Sequence, residues 1–207
     1  MNFPNGVKKT ITKEAKPKEE KKIWKGNMSN KGMSLESMVN NSNEYYLNCD
    51  IAVIYKKPIP IQVVKVDYPS RNKAVINEAY YKTPSTTDYN GIYKGYYIDF
   101  DAKECSSATS FTLNDVHDHQ ACHLNNIKRH GGIGFFLVRF NKYNKSYILE
   151  IDQFNEFKRR ANEGERKSIP YSFFETNCIE VSEGFRPQID YLKGVDKLIE
   201  QKKNKII

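Results

Sequence analysis

The chain has 207 residues, 39% of them hydrophobic, which allows one domain of ordinary size with a core of its own. No apolar run is long enough for a transmembrane helix and the N-terminus carries no signal-peptide core, so a membrane protein and a secreted one are both excluded as expectations. A net charge of +8, from 33 lysines and arginines against 25 aspartates and glutamates, favours a polyanionic partner: nucleic acid, ribosome or an anionic membrane surface.

Residues 1–27 carry eight lysines and three glutamates, few apolar residues and no sustained period. Such a segment is expected as a disordered or partly helical basic arm, either an electrostatic tether for DNA or a solubilising tail. A helix is expected from Ser34, a good N-cap, with Leu35, Met38, Val39, Tyr45 and Tyr46 as its apolar stripe. Glu36 falls in the first turn, where a helix N-terminus favours a carboxylate. Residues 51–57 and 61–66 read as strands, interrupted by Pro58 and Pro60. Between 55 and 82, basic residues (Lys56, Lys57, Lys65, Arg71, Lys73, Lys82) mix with Tyr55, Tyr68, Tyr80 and Tyr81. That mixture suits phosphate tracking and stacking on unpaired bases, and also an ordinary sheet with half-buried tyrosines.

The stretch 83–104, TPSTTDYNGIYKGYYIDFDAKE, holds the densest chemistry. As a strand, 97–103 alternates: Ile98, Phe100 and Ala102 point one way, Tyr97, Asp99, Asp101 and Lys103 the other. Asn90-Gly91 is a strong turn signal, and folding back there would set Asp88 beside Asp101 and Lys103, with Thr86 on the same face as Asp88. Two acids and a lysine on adjacent strands make a place for a hard divalent cation and an anionic, oxygen-rich substrate. Phosphodiester hydrolysis needs an activated water and relief of charge on the phosphoryl oxygens. A cation held by one or two carboxylates supplies both, and a lysine within reach stabilises the developing charge. The short motif Asp101-Ala102-Lys103 reads equally as a solvated strand face with a surface ion pair.

Residues 114–129 have helical character, with Asn114 or Asp115 as cap and Gly131-Gly132 as stop. Val116, Gln120, His123 or Leu124, and Ile127 share a face, which sets the Gln120 amide on the core side in need of a partner. His117, His119, Cys122 and His123, with Cys105 upstream, invite a zinc reading but lack the paired knuckles of a structural site. No serine or cysteine sits in a nucleophile elbow. The apolar run 132–140 is expected as a buried central strand, 141–146 as a turn, 147–151 as a returning strand and 153–161 as a short basic helix. Pro170 and Pro187 limit the helices of the last third, and the lysine-rich segment from Val195 is expected as a helical or fraying tail. Cys49, Cys105, Cys122 and Cys178 lie far apart without a disulfide spacing, as in a reduced, cytoplasmic protein.

Four long motifs occur in order: NKGMSLE from Asn30, AVIYKKPIPIQVVKVDYPSR from Ala52, STTDYNGIYKGYYIDFDAKE from Ser85, and HDHQ from His117. Together they resemble the RecU family of bacterial Holliday-junction resolvases over about 30–192, and acid followed by acid-x-Lys is similar to the PD-(D/E)xK nuclease pattern. The resemblance implies an α/β fold with a restriction-endonuclease-like mixed central sheet flanked by helices and a stalk projecting at about 58–82. The nuclease domain would span 28–194, between the basic arm and a basic tail at 195–207. It implies Mg²⁺, or Mn²⁺ in its place, held by Thr86, Asp88, Asp101 and Gln120, with Lys103 stabilising the transition state. Asp88, Asp101 and Lys103 are thus the expected catalytic residues. Glu36 is a secondary candidate, because many nucleases of this class place a helical glutamate near the metal.

The implied activity is cleavage of four-way DNA junctions by paired symmetric nicks in recombination and repair, leaving a 5′-phosphate and a 3′-hydroxyl. DNA contacts are expected from Lys31, Lys56, Arg71, Lys73, Tyr80 and Tyr81. Two symmetric cuts need two sites related by a two-fold axis, so a homodimer is expected. Recombinase or branch-migration proteins are expected as further partners, and a membrane is not. Two positions depart from the family pattern: Asp101 stands where Glu is usual, and Lys31 where Arg is usual. Asp shortens the carboxylate arm, and Lys lacks the planar fork that grips a phosphate with two hydrogen bonds. The contending expectations are a less selective restriction-type nuclease using the same metal site, and a junction-binding module without catalysis.

Overall fold

The computed structural model describes residues 33–70, 73–82 and 86–204. The expected basic arm, Lys31 and Arg71 lie outside the described residues. In chain order the elements are α1 (Leu35–Asn48), β1 (Val53–Lys56), β2 (Ile61–Asp67), β3 (Val75–Tyr81), β4 (Tyr89–Tyr93) and β5 (Tyr96–Cys105). There follow β6 (Ser110–Thr112), a 3₁₀ turn (Leu113–Asp115), α2 (Asp118–Arg129), β7 (Ile133–Phe140), β8 (Lys145–Glu150) and α3 (Ile151–Asn162). The last elements are β9 (Ser168–Pro170), α4 (Tyr171–Asn177), β10 (Ile179–Val181) and α5 (Tyr191–Asn204).

Six strands form the central sheet in the order β1-β4-β5-β7-β8-β10. Neighbours are antiparallel except β5 and β7, which run parallel. Parallel neighbours need a crossover, and α2 lies within it. The architecture is therefore the expected mixed central sheet flanked by helices. β7 is apolar apart from Arg139, which is buried in an ion pair with Glu183, because both its faces are covered. Phe135 and Leu137 join the core under α1 and α5, while Phe136, Val138 and Phe140 join the core with Leu124 of α2, Phe154 of α3 and Phe174 of α4. Across the middle of the sheet Phe100 lies between Tyr89 and Phe135, each ring centroid 4.9 Å away and the planes within 10° and 3°. Burying each such ring contributes about 1.5–3 kcal/mol, so this stack sets the mutual placement of β4, β5 and β7.

Helix α1 starts as its sequence predicts: the Ser34 hydroxyl accepts from the Ser37 N–H, and Leu35, Met38, Val39 and Tyr46 are buried. Two other boundaries differ from expectation. Asn90-Gly91 is not a turn but lies inside β4, where a Cβ on Gly91 would stand 2.0 Å from the Val53 carbonyl oxygen of β1. Glycine is there for that close approach. The reversal comes at Lys94-Gly95, both in the left-handed region (φ 49° and 80°), as a two-residue hairpin loop requires. The second difference is at α2, which begins at Asp118 rather than at 114. Leu113 and Val116 are buried, so the chain dips into the core as one 3₁₀ turn before His117 caps the helix.

Residues 195–204, expected as part of a basic tail, are the rest of α5. Leu192, Val195, Leu198 and Ile199 face the core at helical spacing, while Lys193, Lys197 and Lys203 face solvent. The β2–β3 ribbon is different again. It pairs only with itself among the described residues, and its side chains are exposed along both strands apart from the half-buried Val66.

Candidate active site

Strand parity does what the sequence pattern predicts. Ile98 and Phe100 enter the core beneath the sheet, and Asp99, Asp101 and Lys103 point to the opposite face, over which α2 lies. Both aspartates are fully buried. Antiparallel pairing of Tyr89 with Phe100 sets Asp88, one residue earlier, opposite Asp101. The two carboxyls therefore adjoin, reached through the Lys94-Gly95 hairpin rather than a turn at Asn90-Gly91.

Asp101 and Asp99 sit two residues apart on one face and are satisfied very differently. Asp101 Oδ1 accepts from Gln120 Nε2 at 2.9 Å. Its Oδ2 is ion-paired to the Lys103 ammonium 2.8 Å away and has no other side-chain partner among the described residues. Burial pushes the Asp101 carboxyl above the usual range; the Lys103 charge pulls the other way, and the neighbouring Asp88 carboxylate adds to the rise. An anion raised by burial and by a second anion is relieved by a cation held between them.

Asp99, by contrast, has both oxygens filled. Lys57 Nζ donates to Oδ1 at 3.1 Å and to Oδ2 at 2.9 Å, and Thr87 Oγ1 donates to Oδ1. The Tyr97 hydroxyl donates to Oδ2 at 2.9 Å, and His123 Nε2 lies 3.0 Å from the same oxygen. Sequence reading noted Asp99 on the site face but not the residues that hold it. Lys57, Thr87 and His123 come from three separate segments, and no spacing in the chain announces them.

Gln120 is buried on the inner face of α2, as its periodicity predicts. It is the third helical residue in a capping box with His117, and its Oε1 accepts from the His117 N–H and from Lys103 Nζ, each at 3.1 Å. Here the amide orients Asp101 and Lys103 together. Thr86 is half-buried beside Asp88, with its hydroxyl donating to the Thr87 carbonyl at 3.3 Å. Glu36 is exposed and ion-paired to Lys56. It still lies near the site, since burial and then the charges of Glu36, Asp88 and Asp101 raise the Tyr89 hydroxyl.

The donor set fits a hard divalent cation. Two adjoining carboxylates, one of them buried with a lysine as the only side-chain partner of its Oδ2, match a metal that takes one or two carboxylates and leaves other positions to water and phosphate. No group of three or more His, Cys, Asp and Glu side chains is placed to hold a metal among the described residues, so the histidines and cysteines near α2 do not converge on a zinc site. The rings of His117 and His119 stack on each other instead, at 5.5 Å. Lys56 lies next to the site through its pair with Glu36, whereas Lys73, Tyr80 and Tyr81 are exposed on the ribbon and its tip. No described helix is long and apolar enough to cross a membrane.

A family model described as RecU, Recombination protein U, matches residues 30–197. The Holliday junction resolvase RecU of Staphylococcus aureus strain JH9 is 48% identical over 204 residues, covering 96% of each chain. The protein of the same name from strain MRSA252 matches at the same identity and coverage. Among solved structures, Hjc, a Holliday junction resolvase from Archaeoglobus fulgidus, aligns with 46% of this chain and 70% of its own, at 10% identity and a TM-score of 0.31.

Proposed function

The chain belongs to the RecU family of Holliday junction resolvases, and from that premise we propose a nuclease that resolves four-way DNA junctions at the site built on β5. Asp88 and Asp101 would hold a Mg²⁺ ion, or Mn²⁺ in its place, with Thr86 as a further donor and Gln120, whose Oε1 accepts from His117 and Lys103, joining by exchanging one of those bonds. When bound, the cation lowers the pKa of a water and draws charge from the phosphoryl oxygens. Lys103, fixed by Asp101 and Gln120, presents its ammonium where negative charge grows in the transition state. In-line attack by water then leaves a 5′-phosphate and a 3′-hydroxyl.

The observation that carries this reading is the Asp101 carboxylate: buried, raised by burial, beside Asp88, and with one oxygen partnered by the Lys103 ammonium alone among side chains. A buried carboxylate that itself holds no cation looks like Asp99, with both oxygens filled by hydrogen bonds. Lys31, Lys56, Arg71 and Lys73 track phosphates, and Tyr80 and Tyr81, exposed on the ribbon, stack on bases opened at the crossover. The protein acts as a cytoplasmic homodimer whose two sites cut symmetrically, in company with recombinase or branch-migration proteins. The test is incubation with mobile and immobile four-way junctions and linear duplex, with and without Mg²⁺, followed by mapping the cuts. Paired symmetric nicks confined to junctions support the proposal. Equal cutting of duplex would make the protein a general nuclease, and metal-independent cutting would discard the site.

A further inference from the structure

Asp99 takes no part in the chemistry above, yet it is the most completely bonded carboxylate on that face. Its bonds lead to one place. Thr87, buried between Thr86 and Asp88, donates to Asp99 and accepts from Lys57 Nζ at 3.1 Å. The Lys57 backbone N–H in turn donates to the Asp88 carbonyl at 2.7 Å. Asp99 thus clamps the middle residue of the 86–88 segment from below, and Lys57 clamps it from the side.

We infer that Asp99 is a positioning residue for the cation site, acting through Thr87 to hold Thr86 and Asp88 against Asp101. The inference rests on the cation reading proposed above. Regular pairing of β4 begins only at Tyr89, so Asp88 lies just outside the ladder that would otherwise fix it. Its place is set instead by the Lys57 N–H, which donates to its carbonyl, and by the anchored Thr87 before it. Thr87 is the side-chain anchor of that segment. Asp99 cannot take the cation itself, because the Lys57 ammonium already occupies both its oxygens. Tyr97 from the same strand and His123 from α2 keep the carboxylate turned toward Thr87. The arrangement is the one by which outer groups orient metal ligands, and losing such groups typically weakens metal binding about 10–100-fold.

The test is Mn²⁺ binding by calorimetry on the DNA-free full chain, with a melting curve for each variant. Thr87→Ser keeps the hydroxyl and is expected to bind as wild type. Thr87→Val keeps the volume but loses the hydroxyl, and Asp99→Asn removes the charge; each is expected to weaken Mn²⁺ by about 10–100-fold. Asp101→Asn serves as the control for the site itself and is expected to lose binding. If Thr87→Val binds Mn²⁺ as wild type while Asp101→Asn does not, Asp99 is merely the counter-charge of a buried lysine and the inference fails with the cation site intact. If Asp101→Asn binds as wild type, the cation reading fails first. Equal weakening by Thr87→Ser and Thr87→Val also overturns the inference, because the hydroxyl is then irrelevant. Should Asp99→Asn not fold, the Thr87 pair decides alone.

Discussion

The aspartates of β5 are buried while the valines, isoleucines and tyrosines of the β2–β3 ribbon face solvent, the reverse of what each residue type prefers. Around β5 the inversion is supported from every side: Asp99 is saturated by Lys57, Thr87, Tyr97 and His123, and Asp101 is held by Gln120 and Lys103. Along the ribbon no second layer covers Ile61, Val63, Val75 or Ile76 among the described residues, and Tyr81 is 82% exposed. A two-stranded ribbon is only marginally stable on its own. On the proposed function the contrast separates two tasks. A site that positions a cation to within fractions of an ångström needs an over-determined scaffold, whereas a surface that receives a large, variable substrate needs apolar and cationic groups left free.

That division predicts very unequal responses to mutation. The largest effect should be on stability. Phe100→Ala, which opens the Tyr89–Phe100–Phe135 stack, is expected to cost about 3–5 kcal/mol. Tyr81→Ala on the ribbon should stay within about 0.5 kcal/mol. Urea denaturation of both variants checks this, and a large loss at Tyr81 would show the ribbon to be packed rather than free. Next comes Lys103→Ala, expected to slow single-turnover cleavage by about 10²–10³, the usual loss when one preorganised donor to transition-state charge is removed.

A smaller effect falls on selectivity. The triple variant Arg71→Ala, Tyr80→Ala and Tyr81→Ala should keep its metal site and melting temperature but lose about tenfold or more of its preference for four-way junctions over duplex, since stacking contributes about 1–3 kcal/mol per base. The competition must be run at one salt concentration, because phosphate contacts depend steeply on it. Undiminished preference would move recognition off the ribbon.

Much of the buried half of this comparison was legible in the sequence, and the reasons are local. The parity of 97–103 follows from the period of a strand, so the face carrying Asp101 and Lys103 could be read directly. The N-cap at Ser34 and the apolar run of β7 are equally local signals. What was missed depends on distant partners. Gly91 looked like half of a turn because nothing nearby announces that β1 passes 2.0 Å from where its Cβ would be. Asp99 looked like a neighbour of the site rather than its support, because Lys57 and His123 lie 42 and 24 residues away. Gln120 was placed on the correct face of α2, but its role in capping that helix became visible only once the helix was seen to begin at Asp118. The lysines from Val195 left a helix and a fraying tail both open; the helix is the outcome, because Leu192, Val195, Leu198 and Ile199 give it a core-facing stripe that joins it to α5.

The smallest effect concerns the length of one side chain. Asp101→Glu introduces the residue that the family resemblance leads one to expect at this position and adds one methylene to the arm. It is expected to lower the Mg²⁺ concentration for half-maximal cutting by a few-fold, read from a metal titration of single-turnover rates. An unchanged or raised requirement would mean that Gln120 and Lys103 are already set for the shorter residue.

The central claim is that Asp88 holds metal and not DNA, and one paired measurement tests it most directly. Wild type and Asp88→Ala are given the same labelled four-way junction at one salt concentration, with binding scored by gel shift in Ca²⁺ and cutting scored in Mg²⁺. The account predicts that Asp88→Ala binds the junction as wild type does and makes no cut. Cutting near the wild-type rate, or binding lost together with cutting, would contradict it.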